Sequence, residues 1–374
     1  MTQIPTVLVV YPHLPHYRYG VFKALAELPD LRTHFVADEI ERTGTIETIP
    51  FESLPAIRVK NRWLGGVLWQ SGLWRVLRKE HPDAVIFLGD VKYASNWFAA
   101  IWLRALRRPV LFWTIGWHRP ERGLKKFTRL LYYRLAHELL LYGEVGRQLG
   151  SEHGFPAHRM TRVGNSRTSS KSSLPPSTKE QKLLDNALKD TSQHVVSTIV
   201  RLNASKRIDL LIEAAAIIQS AGTPVTLLIA GDGPERVSLE QRATSLNVDA
   251  RFLGAVYSED SLERIYAASQ VTVLPSAAGL TVIQSMEFGT PVVTHDDPYE
   301  QMPEAEAIRE GITGSLYKKG DVTSLADAIQ NWFDVQSSSE ASEACRAEVS
   351  ARWSPASQAR TIADSTIALL GGRR

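Results

Sequence analysis

Strand-like apolar runs alternate with segments of helical period along almost the whole chain, and this alternation restricts the fold more than any other feature. Such a series predicts parallel sheets covered by helices on both faces, the α/β class. In the first half the runs fall at 6–11, 33–37, 84–88, 110–114 and 139–142, with helices expected at 19–28, 67–79, 97–106 and 124–136. In the second half they fall at 195–200, 225–230, 250–252, 271–274 and 292–294. The helices expected there are 208–220, 235–246, 259–268, 281–288 and 323–332.

Between the two series, residues 167–179 read Arg-Thr-Ser-Ser-Lys-Ser-Ser-Leu-Pro-Pro-Ser-Thr-Lys, polar and interrupted by proline, which marks a linker. A chain of 374 residues also exceeds one ordinary core. The expected organisation is a first Rossmann-like domain over 1–168, a linker over 169–180 and a second such domain over 181–352. A terminal helix within 353–374, with Ile362, Ile367 and Leu370 at helical spacing, is expected to cross back to the first domain, the alternative being a terminal helix of the second. Two doubly wound domains in tandem would leave a cleft lined by the carboxyl ends of strands.

Composition narrows the function classes. Cys345 is the one cysteine, which excludes an internal disulfide framework and a cysteine-based zinc cluster and fits a reducing cytoplasm. Met1 to Pro5 lead into the first apolar run without a basic leader segment, and the apolar window 97–117 is broken by Arg104, Arg107 and Arg108. A cytoplasmic protein, with peripheral attachment to the inner face of the membrane as an option, is the expectation. The net charge of +3 hides an asymmetry: residues 1–171 hold 25 Lys and Arg against 14 acids, the remainder 18 against 26. Seven of the nine tryptophans lie in the basic part, a mixture that suits an anionic membrane surface or, alternatively, core tryptophans under a solvated basic face. Nucleic acid is not an expected partner, because no recognition module is visible.

Chemistry concentrates in the second half. Leu274-Pro275-Ser276-Ala277-Ala278-Gly279-Leu280-Thr281-Val282-Ile283-Gln284 ends an apolar strand in a small-residue loop that opens a helix. Unpaired N–H groups and the positive end of the helix dipole favour an anion there, and Gly279 permits close approach. Arg201 and Lys206 follow another strand and precede a helix, so the two cations can converge on one diphosphate or simply face solvent. Gly231-Asp232-Gly233-Pro234 reads as a tight turn in which Pro234 can start a helix, structural before it is ligand-binding. No Gly-x-Gly-x-x-Gly follows the first strand, which disfavours a dinucleotide oxidoreductase.

These motifs, together with Phe252-Leu253-Gly254, Pro275-Ser276, Gly289-Thr290-Pro291-Val292-Val293 and the segment from Pro303-Glu304 to Gly311-Ile312-Thr313-Gly314, stand in a fixed order. The ordered set resembles the nucleotide-sugar-binding half of the retaining GT-B glycosyltransferases known as glycosyl transferases group 1, or family four, of the bacterial polysaccharide and glycolipid type. Tyr11-Pro12-His13-Leu14-Pro15-His16-Tyr17-Arg18 and Val163-Gly164-Asn165-Ser166 resemble less diagnostic pieces of the first domain of the same group.

The resemblance implies transfer of a sugar, with retention, from a nucleotide-diphosphate donor to a saccharide or lipid-linked acceptor, with no cofactor and no metal. Arg201 and Lys206 would hold the diphosphate and offset the charge that grows on it. Gly254, Val256 and Tyr257 would hold the base, and Gly279, Leu280 and Thr281 the distal phosphate or sugar. His16, Tyr17 and Arg18 would lie on the acceptor side. The group's two glutamates fall on Ser276 and Gln284, and Glu304 and Glu306 are the nearest later carboxylates, unless they form a solvated acidic helix start. Some relatives carry a His directly before the glycine of a first-domain loop, where this chain has Ile115, so His118, two places beyond Gly116, stands either as a substitute or as an ordinary surface histidine before Arg119-Pro120. Two other readings remain: a nucleotide-sugar-binding protein altered in catalysis, and a sugar-nucleotide epimerase of the same paired fold.

Overall fold

A computed structural model describes residues 4–44, 46–168, 177–192, 194–335 and 339–372. The chain divides into two compact units, residues 1–168 with 354–374, and residues 169–353.

The first unit contains β1 (Thr6–His13), α1 (Tyr19–Ala26), β2 (Arg32–Asp38), β3 (Ala56–Arg58), β4 (Lys60–Leu64), β5 (Val67–Ser71), α2 (Leu73–Glu80) and β6 (Ala84–Leu88). It continues with α3 (Ala94–Ala105), β7 (Val110–Thr114), α4 (Gly123–Tyr133), β8 (Glu138–Leu141), α5 (Glu144–Glu152) and β9 (Met160–Arg162). Seven strands form a parallel sheet in the order β3-β2-β1-β6-β7-β8-β9. One face is covered by apolar residues of α2 to α5, such as Leu77, Ala100 and Tyr132. The other is covered by α1, through Val21 and Phe22, and by the last helix of the chain.

The second unit contains α6 (Thr178–Leu188), β10 (His194–Ile199), α7 (Ile208–Ser220), β11 (Val225–Ala230), α8 (Arg236–Ser245), β12 (Asp249–Gly254) and α9 (Glu259–Ala268). Then follow β13 (Val271–Leu274), α10 (Leu280–Glu287), β14 (Val292–His295), β15 (Gly314–Tyr317), α11 (Val322–Val335) and α12 (Ser339–Glu348). Its parallel sheet runs β12-β11-β10-β13-β14-β15, the doubly wound order in which the topology reverses between β10 and β13. Ligands of such sheets bind outside the strand ends at that reversal. The equivalent reversal in the first unit lies between β1 and β6.

One expected helix is partly a strand. Residues 67–79 split into β5 and α2, because Gly65 and Gly66, at φ +53° and +84°, make a two-residue reversal that pairs β4 with β5. Val67 and Trp69 face outward while Leu68 and Gln70 are buried, a period of two. The Gln70 amide donates to the Tyr11 carbonyl at 2.9 Å, so tertiary pairing overrides the helical reading.

Residues 169–176 of the expected linker lie outside the described residues. Its end is helical: the Ser177 hydroxyl accepts from the Glu180 N–H at 3.1 Å and caps α6. The last helix, α13 (Pro355–Gly371), has Ser354 as its cap and packs on α1 within the first unit. Buried Gln358 on α13 accepts from the Ser166 N–H and hydroxyl, at 3.1 and 2.6 Å, and donates to the Gly164 carbonyl at 2.6 Å. Trp353, just before it, is buried in the second unit among Ile283, Cys345 and Val349.

Candidate nucleotide-sugar site

The two strands flanking the reversal of the second sheet carry the two most informative loops. After β10 the chain passes through Arg201, which is exposed, and a short turn at Ala204–Lys206. After β13 it passes through Ser276 to Gly279, which caps α10 with φ −100° and no side-chain hydrogen bond. The Lys206 ammonium donates to the Ala277 carbonyl at 3.2 Å and joins the two loops. Partial burial pushes the Lys206 pKa down from its ordinary value.

The β13 loop is held along its length. Thr294 donates through its hydroxyl to the carbonyls of Leu274 and Ser276 at 2.8 and 3.2 Å, and the Tyr317 hydroxyl donates to that of Pro275 at 2.6 Å. Gln301 accepts from the Ala278 N–H at 2.8 Å, and its amide donates to Thr294 and to the His295 carbonyl. Fixing the backbone up to residue 278 presents the next N–H groups, at the start of α10, in one direction. Helix geometry gives those first N–H groups no intrahelical acceptor, so an anion placed there meets oriented dipoles.

A cavity of about 600 Å³ opens at this end of the sheet, lined by Arg201, Gly231, Asp232, Val256, Tyr257 and Thr281 among others. The Gly-Asp-Gly turn is there for reasons of space. A Cβ on Gly231 would lie 1.8 Å from the Val200 carbonyl oxygen, and one on Gly233 2.1 Å from that of Leu202. Gly231 also has φ +139° and donates to the Gly254 carbonyl at 2.7 Å, so the turn serves close backbone approach while its surface faces the cavity.

Of the residues singled out from the sequence, Arg201, Val256, Tyr257 and Thr281 line this cavity, with Gly254 at the adjoining strand end. Lys206, Ser276, Gly279 and Leu280 are not among the lining residues; they lie on the two loops tied by the Lys206–Ala277 bond and at the start of α10. Gln284 sits one turn into α10, where its side-chain oxygen accepts from the Tyr266 hydroxyl at 3.0 Å. Glu304 is not on a solvated helix start. It is 2% exposed, on a short 3-10 turn at Pro303–Ala307 packed against α10, and Glu306 is half-buried on the same turn.

In the first unit, His16, Tyr17 and Arg18 form a short turn after β1. Tyr17 is 36% exposed, whereas Arg18 is buried and donates to the Tyr142 hydroxyl at 2.6 Å, its guanidinium 5.0 Å from the Trp113 ring centroid. His118 lies on the loop after β7, half-buried, its pKa lowered by burial and by Arg119. That loop is braced by Arg129, which donates to the Gly116 carbonyl and to Glu121, both at 2.8 Å. Neither Arg129 nor the pins of the β13 loop (Thr294, Gln301 and Tyr317) stood out in the sequence. The strand order alone places Thr294 beside Leu274.

Residues 179–349 match the family model described as glycosyl transferases group 1. The GDP-mannose-dependent alpha-(1-6)-phosphatidylinositol dimannoside mannosyltransferase of Mycobacterium tuberculosis is 35% identical over 96 residues, 25% of this chain and 25% of that protein. Alpha-D-kanosaminyltransferase of Streptomyces kanamyceticus is 27% identical over 144 residues, 37% of this chain and 36% of that protein. The match thus spans a quarter to about a third of the length of these relatives. Among solved structures, Anabaena HepE in complex with UDP superposes with a TM-score of 0.70 at 19% identity, over 97% of this chain and 100% of that one. The segment 179–349 thus resembles the glycosyl transferases group 1, and the chain shares with HepE a fold of paired Rossmann-like units.

Proposed function

We propose that the protein transfers a sugar from a nucleoside-diphosphate donor to a saccharide or lipid-linked acceptor, with retention at the anomeric carbon. The observation that carries this reading is the Lys206 bond to Ala277, which holds that cation beside the loop that opens α10 at the reversal of the sheet, where Arg201 lines the cavity. In the transfer the bond from the anomeric carbon to the diphosphate oxygen breaks, and its electron pair leaves with the phosphate. Arg201, Lys206 and the N–H groups at Gly279, Leu280 and Thr281 stabilise that growing charge. The acceptor hydroxyl attacks from the face the diphosphate leaves, and its proton passes to the departing diphosphate oxygen. Val256 and Tyr257 border the base, Gln284 reaches the ribose, and Ser276 and Glu304 lie toward the sugar. In the first unit, acceptor-side roles fall in this reading to His118 and to the turn of His16, Tyr17 and Arg18.

A second reading, a donor-binding protein altered in catalysis, draws on Ser276 and Gln284. Neither is a carboxylate, and the Gln284 oxygen already accepts from Tyr266. The M. tuberculosis relative is named for GDP-mannose and HepE was solved with UDP, so a test panel covers both bases. Purified protein is incubated with UDP- and GDP-sugars, and nucleotide release is followed with and without saccharide and lipid-linked acceptors. Acceptor-dependent release supports transfer. Binding without consumption in any combination favours the second reading, and no binding of any nucleotide sugar overturns both.

A further inference from the structure

The layer formed by α2, α3 and α4 of the first unit keeps large apolar side chains on its outer side. Phe98 and Ile101 on α3 are 56% and 52% exposed, and Leu124, Phe127 and Leu131 on α4 are 79%, 63% and 48% exposed. On α4 the three recur at i, i+3 and i+7, one stripe, while the core takes Tyr132 and Tyr133. On α3 the core takes Ala99, Ala100 and Leu103. Each helix is therefore apolar on two sides, and folding uses one of them. The helices α3 and α4 touch on their core side through Trp97 and Tyr132, with ring centroids 4.8 Å apart. Trp69, 38% exposed on β5, extends the surface by meeting the Phe98 ring at 5.9 Å.

The charge on these helices is predominantly positive. Together α2, α3 and α4 hold seven Lys and Arg against Glu80, and Glu121, just before α4, pairs with Lys125 and Arg129 at 3.0 and 2.8 Å. A second copy of the chain packing face to face would set these like charges against each other, which disfavours association. An anionic bilayer instead offers complementary charge to the cations and an apolar, headgroup-depth medium to the rings. Among the described residues no helix is long and apolar enough to cross a membrane, so the contact is peripheral.

We propose that the outer face of α3 and α4, extended by Trp69, docks the protein on an anionic lipid surface, with Phe98, Ile101, Leu124, Phe127 and Leu131 entering the headgroup layer. This does not depend on the proposed transferase activity. The test is sedimentation of the full chain with phosphatidylcholine vesicles, with and without phosphatidylglycerol, at low and high salt. The expected result is pelleting with phosphatidylglycerol only, released by salt. Leu124→Ser with Phe127→Ser is expected to weaken partition about tenfold at an unchanged melting temperature, since both side chains are exposed. Arg104→Gln with Lys125→Gln is expected to weaken the salt-sensitive part. The proposal is overturned by absence of pelleting, by vesicle binding that the Leu124→Ser, Phe127→Ser pair leaves intact, or by a dimer that this pair converts to monomer without any change in lipid binding.

Discussion

The side-chain ammonium of Lys206 bonds the backbone oxygen of Ala277 at 3.2 Å, across 71 residues of chain. It fixes the loop after β10 to the loop after β13, and with it the position of one positive group relative to a helix N-terminus. A half-buried cation held this way is ready for an anion without rearrangement, which is the property that leaving-group stabilisation requires.

Removing either cation should therefore slow transfer more than it weakens folding. Arg201→Ala and Lys206→Ala are each expected to lower kcat by about 10²- to 10³-fold, the usual cost of losing one preorganised charge-stabilising group. Steady-state kinetics beside thermal denaturation separates the effects, and a variant with full kcat would remove that residue from the mechanism.

Lys206 also sets a pH dependence. Burial lowers its pKa, so the cation is intact below that value and is lost as pH rises through it. Donor affinity should fall on the alkaline side at a lower pH than an ordinary lysine would give. Lys206→Arg should move that limb upward, because a guanidinium stays charged. Titration of donor binding against pH reads both, and coincident limbs in the two proteins would assign the loss to another group.

At Gln284 the prediction is a gain. Gln284→Glu keeps an acceptor for the Tyr266 hydroxyl and adds a charge toward the ribose, so donor binding should tighten about fivefold, roughly 1 kcal/mol. Calorimetry with the wild-type donor checks it. Weaker binding by the glutamate variant would show that the position does not face the ribose.

The Gly-Asp-Gly turn is predicted to matter for stability. Gly231→Ala places a Cβ 1.8 Å from the Val200 oxygen at φ +139°, and should cost about 3 kcal/mol or more. Chemical denaturation measures it. An unchanged midpoint would mean that the β10 and β11 loops separate without penalty.

Gln358 is expected to hold the last helix in place. Gln358→Leu strands Ser166 and the Gly164 carbonyl in a buried setting and should cost about 1–3 kcal/mol for each group left unsatisfied. The same denaturation experiment applies, with loss of α13 protection in hydrogen exchange as its local signature.

Much of this protein is legible in one dimension because parallel α/β architecture writes its periods locally. The apolar runs at 84–88, 110–114 and 225–230 coincide with β6, β7 and β11, since a strand buried on both faces needs no partner to be recognised. The ordered motifs of the second half marked the loops after β10 and β13 in the same way, through short-range chemistry at strand ends. Where a long-range partner competes with local period, the reading fails: residues 67–71 look helical until Gln70 finds the Tyr11 carbonyl. The three-dimensional structure alone decided that Lys206 reaches Ala277, that Gln301, Thr294 and Tyr317 pin the β13 loop, and that Glu304 is buried rather than solvated. Each joins residues that are apart in sequence, and the strand order that brings them together, β10 beside β13 beside β14, follows from packing whole helices on both faces of a sheet.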